Sequence, residues 1–147
     1  MKICEKIVRG IGLILVANGT GRIYTIRELV AKPMIGKEAG MISFPLETIE
    51  RGETCCDTIR RMVDEEITGC SFEQISGLFI SPNLLMLVPG VCAHVAWGYC
   101  DREFTSVPRD PEVVHYGWCS CADLISQKSF VRIETRPSLE IFLDEEK

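Results

Sequence analysis

The amino-acid sequence predicts an α+β fold in which a mixed β-sheet is flanked by helices, an α/β/α sandwich. Three observations carry this reading. Short runs rich in Ile, Val and Leu recur through both halves of the chain, separated by turns of Gly, Pro and Asn. One central segment, 54–67, has the apolar spacing of a helix instead. A second helical pattern closes the chain. With 147 residues and no internal repeat, low-complexity tract or linker, residues 1–147 are expected to form one domain with its own core.

Lys6 to Ala17 is apolar and ends at Asn18-Gly19-Thr20-Gly21, a strong turn signal, and Arg22 to Leu29 then alternates as a second strand. The two read as a hairpin. Lys32 to Gly40, with Pro33, Gly36 and Gly40, reads as a loop, and Met41 to Phe44 as a short extended piece before Pro45. Thr54 caps the central helix, with Asp57 in the reciprocal place of a capping box. Cys56, Ile59, Val63 and Ile67 form its predicted core stripe, and Gly69 a left-handed stop. Ile75–Ile80, Leu84–Val88 and Val91–Tyr99 read as strands broken by Ser81-Pro82-Asn83 and Pro89-Gly90. Asp101 to Pro111 reads as a polar loop, Val113 to Cys119 as a strand, and the residues after Ser120 as a short helical turn. The last helix is expected near Arg136-Pro137, capped by Thr135, with Leu139, Ile141, Phe142 and Leu143 on its apolar side.

Composition narrows the function classes. Hydrophobic residues make up 46% and charged residues 25%, as in ordinary globular proteins. A net charge of −5 argues against a nucleic-acid or anionic-membrane binder, but not against a small anionic ligand held through a divalent cation. The apolar stretch Ile11–Ala17 lacks the flanks of a signal peptide, and no run reaches the ~20 apolar residues of a membrane helix. A cytoplasmic protein is expected. The eight cysteines include no C-x-x-C pair. Cys119 and Cys121, with Cys92 or His94 nearby, are weighed as a metal site against the plainer reading of small buried hydrophobes in a reducing compartment.

Chemistry concentrates around the central helix. Glu47, Glu50, Glu53, Asp57, Asp64, Glu65 and Glu66 crowd there, and Glu53, Glu65 and Glu66 are the set that can converge on a hard cation such as Mg²⁺. A metal so held would bridge phosphate oxygens and activate water. The competing reading is a solvated acidic helix face.

Gly40 to Cys70 reads GMISFPLETIERGETCCDTIRRMVDEEITGC, which resembles the Nudix hydrolase signature G-x5-E-x7-R-E-U-x-E-E-x-G-U, with U a bulky aliphatic. Glu53 takes the first glutamate place, Arg61 the arginine place, Val63 the aliphatic place and Glu65-Glu66 the glutamate pair. The Ser43-Phe44-Pro45 lead-in, the Glu50-to-Glu53 turn, the preceding hairpin and the later His94–Trp97, Glu112–Trp118 and Ala122–Leu124 runs extend the likeness over nearly the whole chain. The resemblance implies the Nudix fold and water-driven cleavage of a nucleoside diphosphate linked to another moiety. It implies Mg²⁺ or Mn²⁺ held by Glu65, Glu66 and the Leu46 carbonyl, with Glu53 as a ligand or as a brace for Arg61.

Three departures bear on activity. Leu46-Glu47 replace the expected glycine pair, and Glu47 itself offers an extra carboxylate. Met62 replaces a glutamate that serves as ligand or base in many family members, so Glu112 or Glu103 becomes the candidate general base. One extra residue, Ile67-Thr68, precedes Gly69. Three functions therefore compete: a hydrolase, a Nudix-fold module that binds a nucleotide or ADP-ribose-like ligand without turnover, and a structural interaction protein. Arg27, Lys32 and Lys37 are candidate phosphate contacts, and Tyr24, Phe44, Trp97 and Tyr99 candidate base-stacking rings. The Phe79-to-Asn83 segment faintly resembles the Ser-Pro segment of ADP-ribose and nucleotide-sugar members. A homodimer is expected by analogy with other members of the fold.

Overall fold

The computed structural model describes residues 7–35, 37–126, 131–132 and 134–145, with the side chain of residue 35 left out. The expectations placed on Cys4, Lys6 and Gly36 lie outside that set. Strands β1 (Val8–Ala17), β2 (Ile23–Glu28), β3 (Ile42–Ser43) and β4 (Leu46–Thr48) precede helix α1 (Cys55–Glu66). Strands β5 (Ser76–Val88), β6 (Val91–Cys100) and β7 (Val113–Cys119) follow, then helices α2 (Cys121–Ser126) and α3 (Thr135–Glu145). The seven strands form one mixed sheet in the order β3-β2-β1-β6-β5, with β4 added to β1 and β7 to β2.

β1 organises the sheet. It makes the expected hairpin with β2, Val16 opposite Ile23, and runs parallel to β6 over its whole length. Pleating sends its side chains to alternate faces. Ile11, Leu13 and Leu15 join the core under α1, while Ile14 and Val16 join the core under α2 and α3. Helices thus cover both faces, the predicted sandwich.

α1 starts as predicted. The Thr54 hydroxyl accepts from the Asp57 N–H (3.1 Å) and the Asp57 carboxylate from the Thr54 N–H (2.9 Å), which satisfies two orphan amides of the first turn.

Five local readings need correction. Leu46–Thr48 is a strand, missed because three residues carry no periodicity. Cys56 is exposed and Cys55 packs against the core instead, beside Ile59, Met62 and Val63. Gly69 is not left-handed; a side chain there would collide with the Phe104 ring and approach the Thr105 carbonyl to 2.9 Å. Ser81-Pro82-Asn83 does not divide two strands: β5 runs through it as one edge strand whose register against β6 shifts between Ile80 and Leu84. Thr135 lies inside α3 with its hydroxyl unpartnered, and the Glu134 carbonyl accepts from the Ser138 N–H at 3.0 Å.

The seven described cysteines are free thiols, and no group of three metal-ligating side chains among the described residues includes one. No helix among the described residues is long and apolar enough to cross a membrane.

Candidate metal centre

The loop from β4 to α1 is held by Arg61. Its guanidinium donates twice to Glu53, Nε to Oε2 at 3.1 Å and Nη2 to Oε1 at 2.9 Å. It also donates to Glu47 Oε2 (3.0 Å) and to the Thr48 carbonyl (2.7 Å). Such charge-assisted, forked bonding fixes both position and plane. Glu53 further accepts from the Glu50 N–H at 2.8 Å and the Thr58 hydroxyl at 3.1 Å. Arg61, ahead of the Glu50 N–H, holds the Glu53 carboxyl down at about 2. Gly52, at φ +87°, supplies the left-handed residue of the turn that brings Glu53 back to the helix.

The other end of α1 is built differently. Glu66 is buried at 3% exposure, and its Oε2 has no hydrogen-bond partner. Its carbonyl accepts from the Tyr24 hydroxyl at 2.8 Å. The neighbouring Glu65 carbonyl accepts from the N–H groups of Arg109 (2.7 Å) and Asp110 (3.2 Å), so the loop before β7 is docked onto the helix end. That docking places Asp110 beside Glu66, and β4 places Glu47 on the remaining side. Ligand oxygens of Glu47, Glu66 and Asp110 lie within 4.8 Å of one another. Burial, then the charges of Glu47 and Asp110, push the Glu66 carboxyl well above the ordinary carboxylate range. Burial also raises Glu47, against the opposing pull of Arg61.

These three residues line one cavity of about 160 Å³, together with Leu46, Glu112, Lys32, Lys37 and Arg132. An all-carboxylate set with an unpartnered buried oxygen fits a hard divalent cation of the Mg²⁺ or Mn²⁺ kind. The Leu46 carbonyl is directed away from β1, because the β1–β4 ladder bonds fall on Pro45 (3.0 Å to the Leu13 N–H) and Ile49 (2.8 Å to the Arg9 carbonyl).

Of the residues singled out in the sequence, Glu66, Leu46 and Glu112 line the cavity, and the extra carboxylate of Glu47 joins it. Glu53 does not join the cluster: its carboxylate is taken up by Arg61, so it is a brace. Glu65 stays half-exposed, 4.0 Å from Arg61 and outside the cluster. Glu103 lies elsewhere, paired with Arg22 at 2.5 Å. Met62 is fully buried in the core under α1 and neither lines nor plugs the cavity.

The predicted substrate contacts divide as sharply. Lys32 and Lys37 line the cavity, whereas Arg27 points the other way, its guanidinium 4.9 Å from the Tyr116 ring centre. Phe44 is 3% exposed in the core under α3, and Tyr24 and Trp97 are buried too, which removes them as stacking platforms. Asp110, Glu28 and Arg132 were not singled out in the sequence. Asp110 stands in a loop read only as polar, and nothing local distinguishes it.

No family model matches the sequence, and no curated protein matches it. Solved structures do. A Nudix hydrolase from Nitrosomonas europaea superposes with TM-score 0.68 at 17% identity, over 97% of this chain and 92% of its own. A MutT protein from Methanosarcina mazei Go1 gives TM-score 0.69 at 16% identity, over 99% of both chains. A bifunctional NMN adenylyltransferase/ADP ribose pyrophosphatase from Francisella tularensis, complexed with AMP and a manganese ion, gives 0.66 at 16% identity over 98% of this chain and 43% of its own. The chain has the Nudix fold.

Proposed function

We propose that this Nudix-fold protein is a divalent-metal-dependent hydrolase that cleaves the diphosphate of a nucleoside diphosphate linked to another moiety. The observation that carries the proposal is the meeting of Glu47, Glu66 and Asp110 in one cavity, with a Glu66 oxygen buried and unpartnered. Glu47, Glu66 and Asp110, with the Leu46 carbonyl, are the residues that would hold Mg²⁺ or Mn²⁺, and Glu65 stands next along the helix. Bound there, the cation supplies charge neutralisation for phosphate oxygens and acidifies water.

The chain's own groups divide the remaining work. Arg61 orients Glu47 while keeping Glu53 as the loop's brace. Glu112 lines the same cavity, and Lys32 at 2.7 Å keeps its carboxylate ionised and able to accept a proton from the attacking water. The same pairing weakens it as a base. With Met62 contributing no carboxylate, this favours slow turnover, and a binding module without turnover is the second reading. A nucleotide ligand agrees with the Francisella structure, a bifunctional protein complexed with AMP and a manganese ion, 43% of whose chain is matched here.

The test is nucleotide or phosphate release across ADP-ribose, nucleotide sugars, dinucleoside polyphosphates and (d)NTPs, with Mg²⁺ and with Mn²⁺. Metal-dependent release that E66Q lowers by about 10²-fold or more is the expected result. No release on any substrate, alongside metal-dependent thermal stabilisation by the same ligands, would replace the hydrolase by the binding module.

A further inference from the structure

The exit of α1 carries one residue more than the signature it resembles. Ile67 and Thr68 stand between Glu66 and Gly69, where the signature has a single place. Ile67 belongs to the core at 0% exposure, and its N–H closes the last turn on the Val63 carbonyl at 3.1 Å. Thr68 is exposed and meets the loop before β7. Its hydroxyl donates to the Val107 carbonyl at 2.8 Å and accepts from the Val107 N–H at 2.9 Å, a two-way pairing of the kind opposed strand residues make. Its N–H donates to Ser106 Oγ at 3.1 Å. Ser106 is buried, and its Oγ lies 2.8 Å from the same Tyr24 hydroxyl that reaches the Glu66 carbonyl. Gly69, next along, leaves room for the Phe104 ring where a side chain would collide. Further along this loop, the Arg109 and Asp110 N–H groups reach the Glu65 carbonyl, one of the orphan acceptors of the helix end. Capping α1 and bringing Asp110 to Glu66 are therefore one contact, and the Thr68 seam holds the loop in place for it. The Glu112 N–H then donates to Asp110 Oδ1 at 2.9 Å and orients that carboxylate.

We propose that Thr68 is a positioning residue of the metal centre: it fixes the loop over 104–110 against the end of α1 and so sets Asp110 as the third carboxylate beside Glu47 and Glu66. The extra residue thereby obtains from the loop a carboxylate that Met62, buried in the core, does not offer from the helix. The proposal rests on the metal-centre reading for what Asp110 does, and on the seam alone for where Asp110 stands.

The experiment pairs calorimetric titration of Mn²⁺ with amide hydrogen exchange of the metal-free protein. The variants are T68V, T68S, D110N and the double variant T68V/D110N. T68V keeps the side-chain shape and the N–H and removes only the hydroxyl. Exchange at Arg109 and Asp110 should quicken about threefold to tenfold, and Mn²⁺ affinity should fall by a similar factor. T68S keeps the hydroxyl and should restore most of both. In the D110N background T68V should cost no further Mn²⁺ affinity, because Thr68 acts through Asp110. A merely structural role would give the same loss with and without D110N, and that result would overturn the proposal. So would T68V with natural exchange at Arg109 and Asp110, or with faster exchange and natural Mn²⁺ affinity. A natural protein that takes up no Mn²⁺ would instead remove the metal-centre reading, and the exchange rates would then decide on their own whether Thr68 places the loop.

Discussion

At the N-terminal end of α1, Glu53 has its oxygens engaged by Arg61, the Glu50 N–H and the Thr58 hydroxyl, and its carboxyl is held down at about 2. At the C-terminal end, Glu66 is buried beside two more carboxylates with an oxygen unpartnered, and its carboxyl is pushed well above the ordinary range. The same residue type is a finished structural joint at one end and a buried carboxylate with an unpartnered oxygen at the other. The difference lies in what surrounds each. Arg61 is positioned against Glu53 by one helix and its entry loop, whereas Glu66 is met by like charges from β4 and from the loop before β7. A buried carboxylate without a hydrogen-bond partner costs the folded state, and such costs concentrate at functional sites.

The comparison breaks most readily midway along the helix. M62E adds a carboxylate at a position with 0% exposure on the core side, and it should cost about 3 kcal/mol or more of stability in a urea titration. No gain in Mn²⁺ affinity should accompany it. Near-normal stability with tighter Mn²⁺ binding would mean that this side chain faces the cavity after all. The next effect is at the brace. R61A strips both Glu53 and Glu47 of their partner, so the melting temperature should fall by about 5 °C and Mn²⁺ affinity with it. R61K should recover only part, because an ammonium cannot fork. An R61A protein with natural Mn²⁺ affinity would separate the two ends of the helix entirely.

The smallest effect is in the pH dependence of the metal-free protein. Glu66 is raised, so its share of stability is full below the ordinary 4.5 and is lost as pH rises toward its folded value. Glu53 is lowered, so its share is full above 4.5 and is lost as pH falls through about 2. Melting temperatures should therefore decline from pH 4.5 upward by a few degrees, about 2–4 °C, with E66Q or saturating Mn²⁺ removing that decline. E53Q should leave the upward decline intact and flatten the acid side.

What was legible in the sequence follows from how far apart the partners lie. The Thr54–Asp57 cap and the Arg61–Glu53 brace belong to one turn-and-helix segment, so local spacing predicts the cap and the family resemblance implies the brace. Asp110 reaches Glu66 only because the Glu65 carbonyl receives the loop before β7, a tertiary contact with no local sign. The inward face of α1 is one residue out of phase with the predicted stripe at its start: Cys55, Met62 and Glu66 face inward, not Cys56, and a buried glutamate is invisible to an apolar stripe. At β2 a basic residue type is no guide to direction: Arg27, a candidate phosphate contact, lies by the Tyr116 ring, and its neighbour Glu28 pairs with Lys37 at 2.9 Å. A step of one residue along a pleat exchanges the two faces, and β2 has a register shift against β7 between Thr25 and Ile26.

The long edge strand β5 has a consequence for how this protein behaves at high concentration. An edge of thirteen residues with no further strand beside it among the described residues is a template on which other chains can stack. The irregular stretch around Ser81-Pro82-Asn83 interrupts that template, and Pro82 has no N–H to offer an incoming strand. Pro82 thus breaks the run of N–H donors along this one edge strand, so an incoming strand could not pair with it along its whole length.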